Sequence, residues 1–181
     1  MSNYITSNFS NLIFSCSVPS QWHMEHRVTD HCVVFVRQGK LLISDKGRTE
    51  EIPAGSCVFL KKDCSVRLVK ASFAGKNYEG LNIRLPQNIL EDYFQRHLKN
   101  NEFSQDFTGL SNCFMRLNRT LCLQGLLSSI ILFVEEGQDP GQKMTELKVE
   151  ELILDLLQTN IRFFPTLFDF YRDWNVDLKE F

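Results

Sequence analysis

The sequence contains no Cys-x-x-Cys pair, no Gly-x-Ser-x-Gly turn, no glycine-rich phosphate loop and no dinucleotide-binding fingerprint. Each absence removes a class of function. A chain without paired C-x-x-C motifs builds neither a zinc ribbon nor a thioredoxin-like redox centre. Without the other three it does not read as an α/β-hydrolase, a P-loop nucleotidase or a Rossmann dehydrogenase. A basic excess is missing too: 20 Lys and Arg against 22 Asp and Glu leave a formal net charge of −2. Phosphate neutralisation supplies most of the affinity of an unaided DNA-binding domain, so this chain alone is not expected to hold nucleic acid. Its only adjacent basic pair, Lys61-Lys62, fits a solvated hairpin tip. The opening residues MSNYITSNFS lack the positive start and apolar run of a secretory leader. The longest apolar run, Leu126 to Val134, includes two serines and is too short to span a bilayer, so no membrane is expected as a partner.

What is present is ordinary globular composition, 43% hydrophobic and 23% charged over 181 residues, enough for one well-cored domain with or without a helical appendage. The six cysteines stand at 16, 32, 57, 64, 113 and 122, several inside apolar strings such as Cys32-Val33-Val34-Phe35. There a free thiol behaves as a small core residue, and a reducing cytoplasm is the expected location.

The first half reads as short strands. Val33 to Arg37 is β-branched and aromatic, followed by the turn Gln38-Gly39-Lys40. Leu41 to Ile43, Cys57 to Leu60 and Val66 to Val69 follow, separated by Asp45-Lys46-Gly47, Pro53-Ala54-Gly55 and Lys62-Asp63. From Glu79 to Leu85 the alternation is strict, placing Leu81, Ile83 and Leu85 on one face, directed to the core, and Tyr78, Gly80, Asn82 and Arg84 on the other. Short strands with turn signals about every ten residues predict a sandwich or barrel. At Pro86 the period changes. Helices are predicted over 86–99, over about 120–136 and over about 142–159, with one further strand near 113–117. In the last helix Val149, Leu152, Ile153 and Leu156 form an apolar stripe, which Met144, Leu147, Leu154 and Leu157 widen. Lys148, Glu151, Asp155 and Gln158 leave only a narrow polar strip. The pattern fits either a buried core helix or one shared with a second subunit.

Three of the four histidines lie in W-H-M-E-H-R-V-T-D-H, residues 22–31. A strand-rich front half of this kind resembles the cupins, whose metal-dependent members place ligand histidines two apart on one strand face. Here the positions are 23, 26 and 31. His23 and His26 point to opposite faces of a strand, and His23 and His31 would stand about 25 Å apart along one. A catalytic zinc-type site needs about three protein ligands, which these positions do not assemble. No metal, cofactor or catalytic residue is therefore expected, and a metal-dependent cupin enzyme (an isomerase or dioxygenase) is the alternative reading.

The order of segments then identifies a family. E-H-R-V-T-D-H-C-V-V-F-V-R-Q-G-K-L-L-I-S-D, followed by I-P-A-G-S-C-V-F-L-K-K and Y-E-G-L-N-I-R-L-P-Q-N-I-L-E-D-Y-F, resembles the amino-terminal regulatory domain of AraC-family bacterial transcription regulators. The similarity is strongest to the branch that includes the type III secretion activator ExsA, with His31, Gly39, Gly55 and Lys61-Lys62 at matching places. Downstream, E-L-K-V-E-E-L-I-L-D-L-L resembles the dimerisation-side helix and R-F-F-P-T-L-F-D-F-Y-R-D-W-N-V-D-L-K-E-F the run-in to the DNA-binding domain. The resemblance implies an α+β fold: a cupin-like β-barrel or jelly roll over 1–85, a helical dimerisation and linker region over 86–163, and a run-in over 164–181. It implies a homodimer, with Leu147, Glu150, Leu154 and Leu157 as interface candidates. It implies an effector, either a small molecule or a regulatory protein, with Trp22, His31, Phe35, Arg37, Tyr78 and Arg84 as candidate pocket residues. DNA would be contacted only through a helix-turn-helix domain that the sequence does not contain, so the chain is expected to be an excised regulatory domain.

Overall fold

A computed structural model of the chain describes residues 4–19, 21–98 and 108–170. Its front half is built from nine strands: β1 (Tyr4–Phe9), β2 (Ile13–Val18), β3 (Trp22–Arg27), β4 (His31–Gln38), β5 (Lys40–Asp45), β6 (Arg48–Pro53), β7 (Ser56–Leu60), β8 (Ser65–Ala71) and β9 (Tyr78–Leu85). Then come α1 (Gln87–His97), β10 (Phe114–Arg116), α2 (Leu121–Glu136), α3 (Gln142–Thr159) and α4 (Phe163–Leu167). The strands form two antiparallel sheets, in the orders β1-β2-β9-β4-β7-β10 and β3-β8-β5-β6. Because the chain crosses repeatedly from one sheet to the other, the result is the expected α+β jelly roll, a flattened barrel of two facing sheets. Its outer edges carry polar sequences, WHMEHR in β3 and RTEEIP in β6, which discourage further strand pairing.

The six-stranded sheet is apolar on both faces, and this generates two cores. Between the sheets lie Cys32, Val34 and Val36 of β4 with Leu41, Ile43, Ile52, Val58, Leu60, Val66, Leu68 and Tyr78. On the opposite face Val33, Phe59, Leu81, Ile83 and Leu85 pack against Leu126, Ile130, Val149, Leu152, Ile153 and Leu156 of α2 and α3. The predicted core face of β9 is thus buried, but against the helices rather than inside the barrel. Gly39 makes the β4–β5 turn at φ +69°, where a Cβ would stand 2.6 Å from the Ala71 carbonyl oxygen. No side chain fits there.

The three predicted helices and the late strand are all found, and α3 begins and ends where its periodicity predicts. Several other expectations need adjustment. β1, β2 and β3 were not legible, because serine, threonine and asparagine dilute the first two and histidines and charges the third. The sheet is not confined to 1–85, since β10 pairs with β7. The Lys61-Lys62 pair is not a solvated tip. Lys61 Nζ donates to the Leu110 carbonyl at 2.8 Å and Lys62 Nζ pairs with Asp169 at 2.9 Å, fastening the loop before β10 and the segment after α4 to the barrel. Residues 171–181, which hold most of the expected run-in, lie outside the described residues.

Asp155, expected on the polar strip of α3, is buried at 6% exposure. Thr120 explains this. Its hydroxyl caps α2 by accepting the Leu123 N–H at 2.9 Å and donates to Asp155 Oδ1 at 2.9 Å, joining the two helices. Thr120→Val removes the cap and leaves a buried carboxylate without its donor. We expect a loss of about 2–4 kcal/mol, read as a lower urea midpoint with an unchanged slope.

Candidate functional site

The barrel interior is not completely filled. A cavity of about 150 Å³ remains between the sheets, walled mainly by apolar side chains including Phe14, Met24, Val34, Leu41, Leu60 and Leu68. On β8 the inward positions are Val66, Leu68 and Lys70, so a lysine occupies the place where the period of two calls for a third apolar residue. Lys70 is 9% exposed. Its Nζ donates to Cys16 Sγ at 3.3 Å and lies over the rings of Trp22 at 5.2 Å and Tyr78 at 5.4 Å. These are soft, uncharged partners. Among the described residues Lys70 has no carboxylate, which is unusual for a buried ammonium.

Two more polar atoms share this interior without partners among the described residues, the Tyr78 hydroxyl and Asn82 Oδ1. Both side chains come from the inward face of β9, with Gly80 between them. A Cβ on Gly80 would stand 2.5 Å from the Tyr78 hydroxyl, so the glycine is what allows the phenol to lie along the strand. Burial pushes the Tyr78 hydroxyl well above its ordinary pKa, keeping it a neutral donor. His26 also reaches this cavity. Burial, and then the charge of Lys70, lowers its pKa and favours the uncharged ring. Cys32, in the same wall, has its thiol pushed up to about 12, chiefly by burial, and is an inert packing group. One cation and one hydroxyl donor therefore converge on an otherwise apolar hole, with the Asn82 carboxamide oxygen as an acceptor beside them. This arrangement can receive a small anionic group.

Of the residues selected from sequence, Tyr78 stands in this cavity and Trp22 bounds it through Lys70. The structure does not bring the other four to it. β4 points Cys32, Val34 and Val36 inward, so His31, Phe35 and Arg37 emerge on the helix side. Phe35 borders α2, and Arg37 pairs with Glu79 at 3.7 Å and with Glu135 of α2. Arg84 pairs with Asp30 and donates to the Asn11 carbonyl at 3.3 Å. Lys70 and Asn82 were missed, although Lys70 interrupts the V-x-L-x-K alternation of β8 and so had a signal in the sequence. Asn82 shares its strand face with the candidates Tyr78 and Arg84 but was not itself selected.

The three clustered histidines point three ways. His23 is on the exposed face of β3, His26 is turned inward, and His31 is buried against the helices. Among the described residues no three His, Cys, Asp or Glu side chains are grouped to hold a metal ion.

His31 has a structural task. Its ring stacks on Phe59 at 5.5 Å, Phe59 meets Phe163 edge-on at 5.0 Å, and the Lys62 N–H donates to His31 Nδ1 at 3.1 Å. Burial, and then the nearby Lys62 charge, lowers the His31 pKa to about 4, with Asp169 partly offsetting the shift. The folded state thus holds this ring neutral while the unfolded chain binds a proton below about pH 6.5. Its stabilising contribution is complete above that pH and is lost as the pH falls from about 6.5 to about 4, by roughly 2–3 kcal/mol. Urea melts at pH 7, 5.5 and 4.5 should show the decline. His31→Gln, which keeps an acceptor but cannot titrate, should flatten it.

Comparison with known proteins gives a consistent picture. Residues 31–163 match the family model described as the ExsA N-terminal regulatory domain. No curated protein matches the chain by sequence. Among solved structures, apo ToxT K231A from Vibrio cholerae superposes with a TM-score of 0.59 at 14% identity, covering 87% of this chain and 58% of that one. Wild-type ToxT from Vibrio cholerae bound to an unsaturated fatty acid gives 0.55 at 13% identity, covering 80% and 52%. Vibrio cholerae ToxT bound to (E)-4-(8-methylnaphthalen-1-yl)but-3-enoic acid gives 0.51 at 12%, covering 80% and 56%. At such identities the shared property is the fold, and this chain spans less than two thirds of each of those proteins.

Proposed function

Because the chain belongs to the family of ExsA N-terminal regulatory domains, the AraC-family branch that its sequence resembles, we propose that it senses a short organic acid inside its barrel. In this reading it controls a DNA-binding helix-turn-helix domain carried elsewhere in the functional protein. The observation that carries the reading is Lys70, a buried ammonium without a carboxylate, facing a cavity where Tyr78 and Asn82 each hold an unpartnered polar atom. A carboxylate entering this cavity would supply Lys70 with a counter-charge and accept from the unpartnered Tyr78 hydroxyl, relieving the cost of one uncompensated charge and one unsatisfied donor. That both liganded ToxT structures above hold carboxylic acids supports the same chemistry. The volume of about 150 Å³ favours a short acid. The effector acts by population shift: it stabilises whichever arrangement of barrel and helices contains the filled cavity.

Butyrate and hexanoate are the first probes. Either should raise the thermal midpoint of the chain in a saturable way, and Lys70→Met should abolish the response while leaving the fold intact. No saturable rise with any short carboxylate, or an undiminished rise in Lys70→Met, would remove this reading. The three clustered histidines point in different directions and so do not favour the alternative, a metal-dependent cupin enzyme.

We further infer that the regulator dimerises through α3. Leu147 and Leu154, one heptad apart, are 46% and 47% exposed, and Met144 is 42% exposed beside them. A row of this spacing suits the seam of two packed helices. The other two interface candidates are engaged within the chain: Glu150 accepts from Arg96 of α1 at 2.7 Å, and Leu157 packs on the helix-side core. Leu147→Glu with Leu154→Glu should convert a dimer to a monomer in sedimentation velocity, without loss of helix by circular dichroism.

A further inference from the structure

A second concavity, of about 580 Å³, opens on the surface outside the barrel, between α2 and the turn joining β6 to β7. Its floor is apolar, formed by Phe35 of β4 and Leu123, Leu127 and Ile131 of α2, and its rim carries two cations, Arg116 and Arg119. No aspartate or glutamate lines it. Arg116 Nη2 donates to the Ser56 hydroxyl at 2.9 Å, a contact that orients the guanidinium without neutralising it. Arg119 reaches over the β6–β7 turn, its Nη1 lying 3.9 Å from where a Cβ on Gly55 would be. Neither arginine forms an ion pair among the described residues, whereas Arg37, Arg48, Arg67, Arg84 and Arg96 all do. The carboxylate behind this wall, Asp155, is buried and held by Thr120.

The start of α2 adds to the positive field. The helix begins two residues after Arg119, and its first turn contains no acidic side chain to offset the positive end of the dipole. Two forked guanidiniums are suited to one carboxylate or phosphate head group. Of the floor residues Leu123 and Leu127 are already buried, while Phe35 and Ile131 are half-buried and offer apolar surface to a ligand chain, and the volume falls within the range of small-molecule sites, roughly 300–1,000 Å³.

We propose that this cleft binds an amphipathic organic anion, its head group held by Arg116 and Arg119 and its apolar chain lying along Phe35, Leu123, Leu127 and Ile131. The site is separate from the barrel cavity: it lies on the opposite face of β4, is the larger of the two, and uses none of the same polar groups.

The test is isothermal titration calorimetry of the whole chain with octanoate and with octyl phosphate, each below its micellar concentration, and with octan-1-ol as the neutral control. We expect saturable binding of at least one anion, with the stronger of the two identifying the head group, and at least tenfold weaker binding of the alcohol. Arg116→Gln with Arg119→Gln, both at exposed positions, should weaken the anion at least tenfold with an unchanged thermal midpoint. Lys70→Met should leave it within twofold. Absence of saturable binding by either anion, equal binding of the alcohol, or unchanged affinity in the double arginine variant would overturn the proposal. Loss of binding in Lys70→Met alone would place the anion in the barrel, overturning the cleft while sparing the barrel reading.

Discussion

The structure depends on the six-stranded sheet being buried on both of its faces. An antiparallel sheet with one wet face would have sufficed for a simple sandwich. Here β4 and β7 carry apolar residues in both registers, so the same strands close the barrel on one side and seat α2 and α3 on the other. The helices are therefore part of the fold rather than an appendage. Without them Phe59, Leu81 and Ile83, all at most 2% exposed, would face water. The four-stranded sheet bears polar residues on its outer face and contributes only one layer.

This double burial also explains what could be read from the sequence and what could not. The alternation in β9 was clear, but alternation says only that two faces differ, not which compartment each one meets. The oily face reads as the core side, yet it meets the helices, and it is the other face, with Tyr78 and Asn82, that turns into the barrel. The continuous run of β4 was legible as a strand, yet a run apolar in both registers does not show which side holds the odd positions, and His31, Phe35 and Arg37 were misplaced for that reason. The helices were easier, since a 3.6-residue period spread over eighteen residues in α3 leaves little freedom. Sequence could not place Asp155, because its partner Thr120 lies 35 residues away. The cleft was likewise illegible: Phe35, Arg116 and Leu127 come from three elements distant along the chain.

A core made only for stability would not hold an ammonium against only a thiol and two rings, beside a phenol hydroxyl and a carboxamide oxygen that have no partner among the described residues. Their cost is of the order of 1–3 kcal/mol for each unsatisfied group. Such costs are tolerated where a site must be empty part of the time and filled at others. In the reading proposed above the domain is that case, since it would have to exist in two states of similar free energy for a modest ligand to choose between them.

One consequence of β4 concerns how its two sides communicate. Val34 looks into the inner hollow and Phe35, its neighbour along the backbone, looks out to the groove beneath α2. Only the thickness of a single peptide ribbon divides these spaces, and that ribbon is hydrogen-bonded on both flanks, to β7 and to β9. It cannot tilt toward one compartment without enlarging the other. Any coupling that a shift of this ribbon creates between ligands in the two spaces has the same energy in each direction, because linkage is reciprocal.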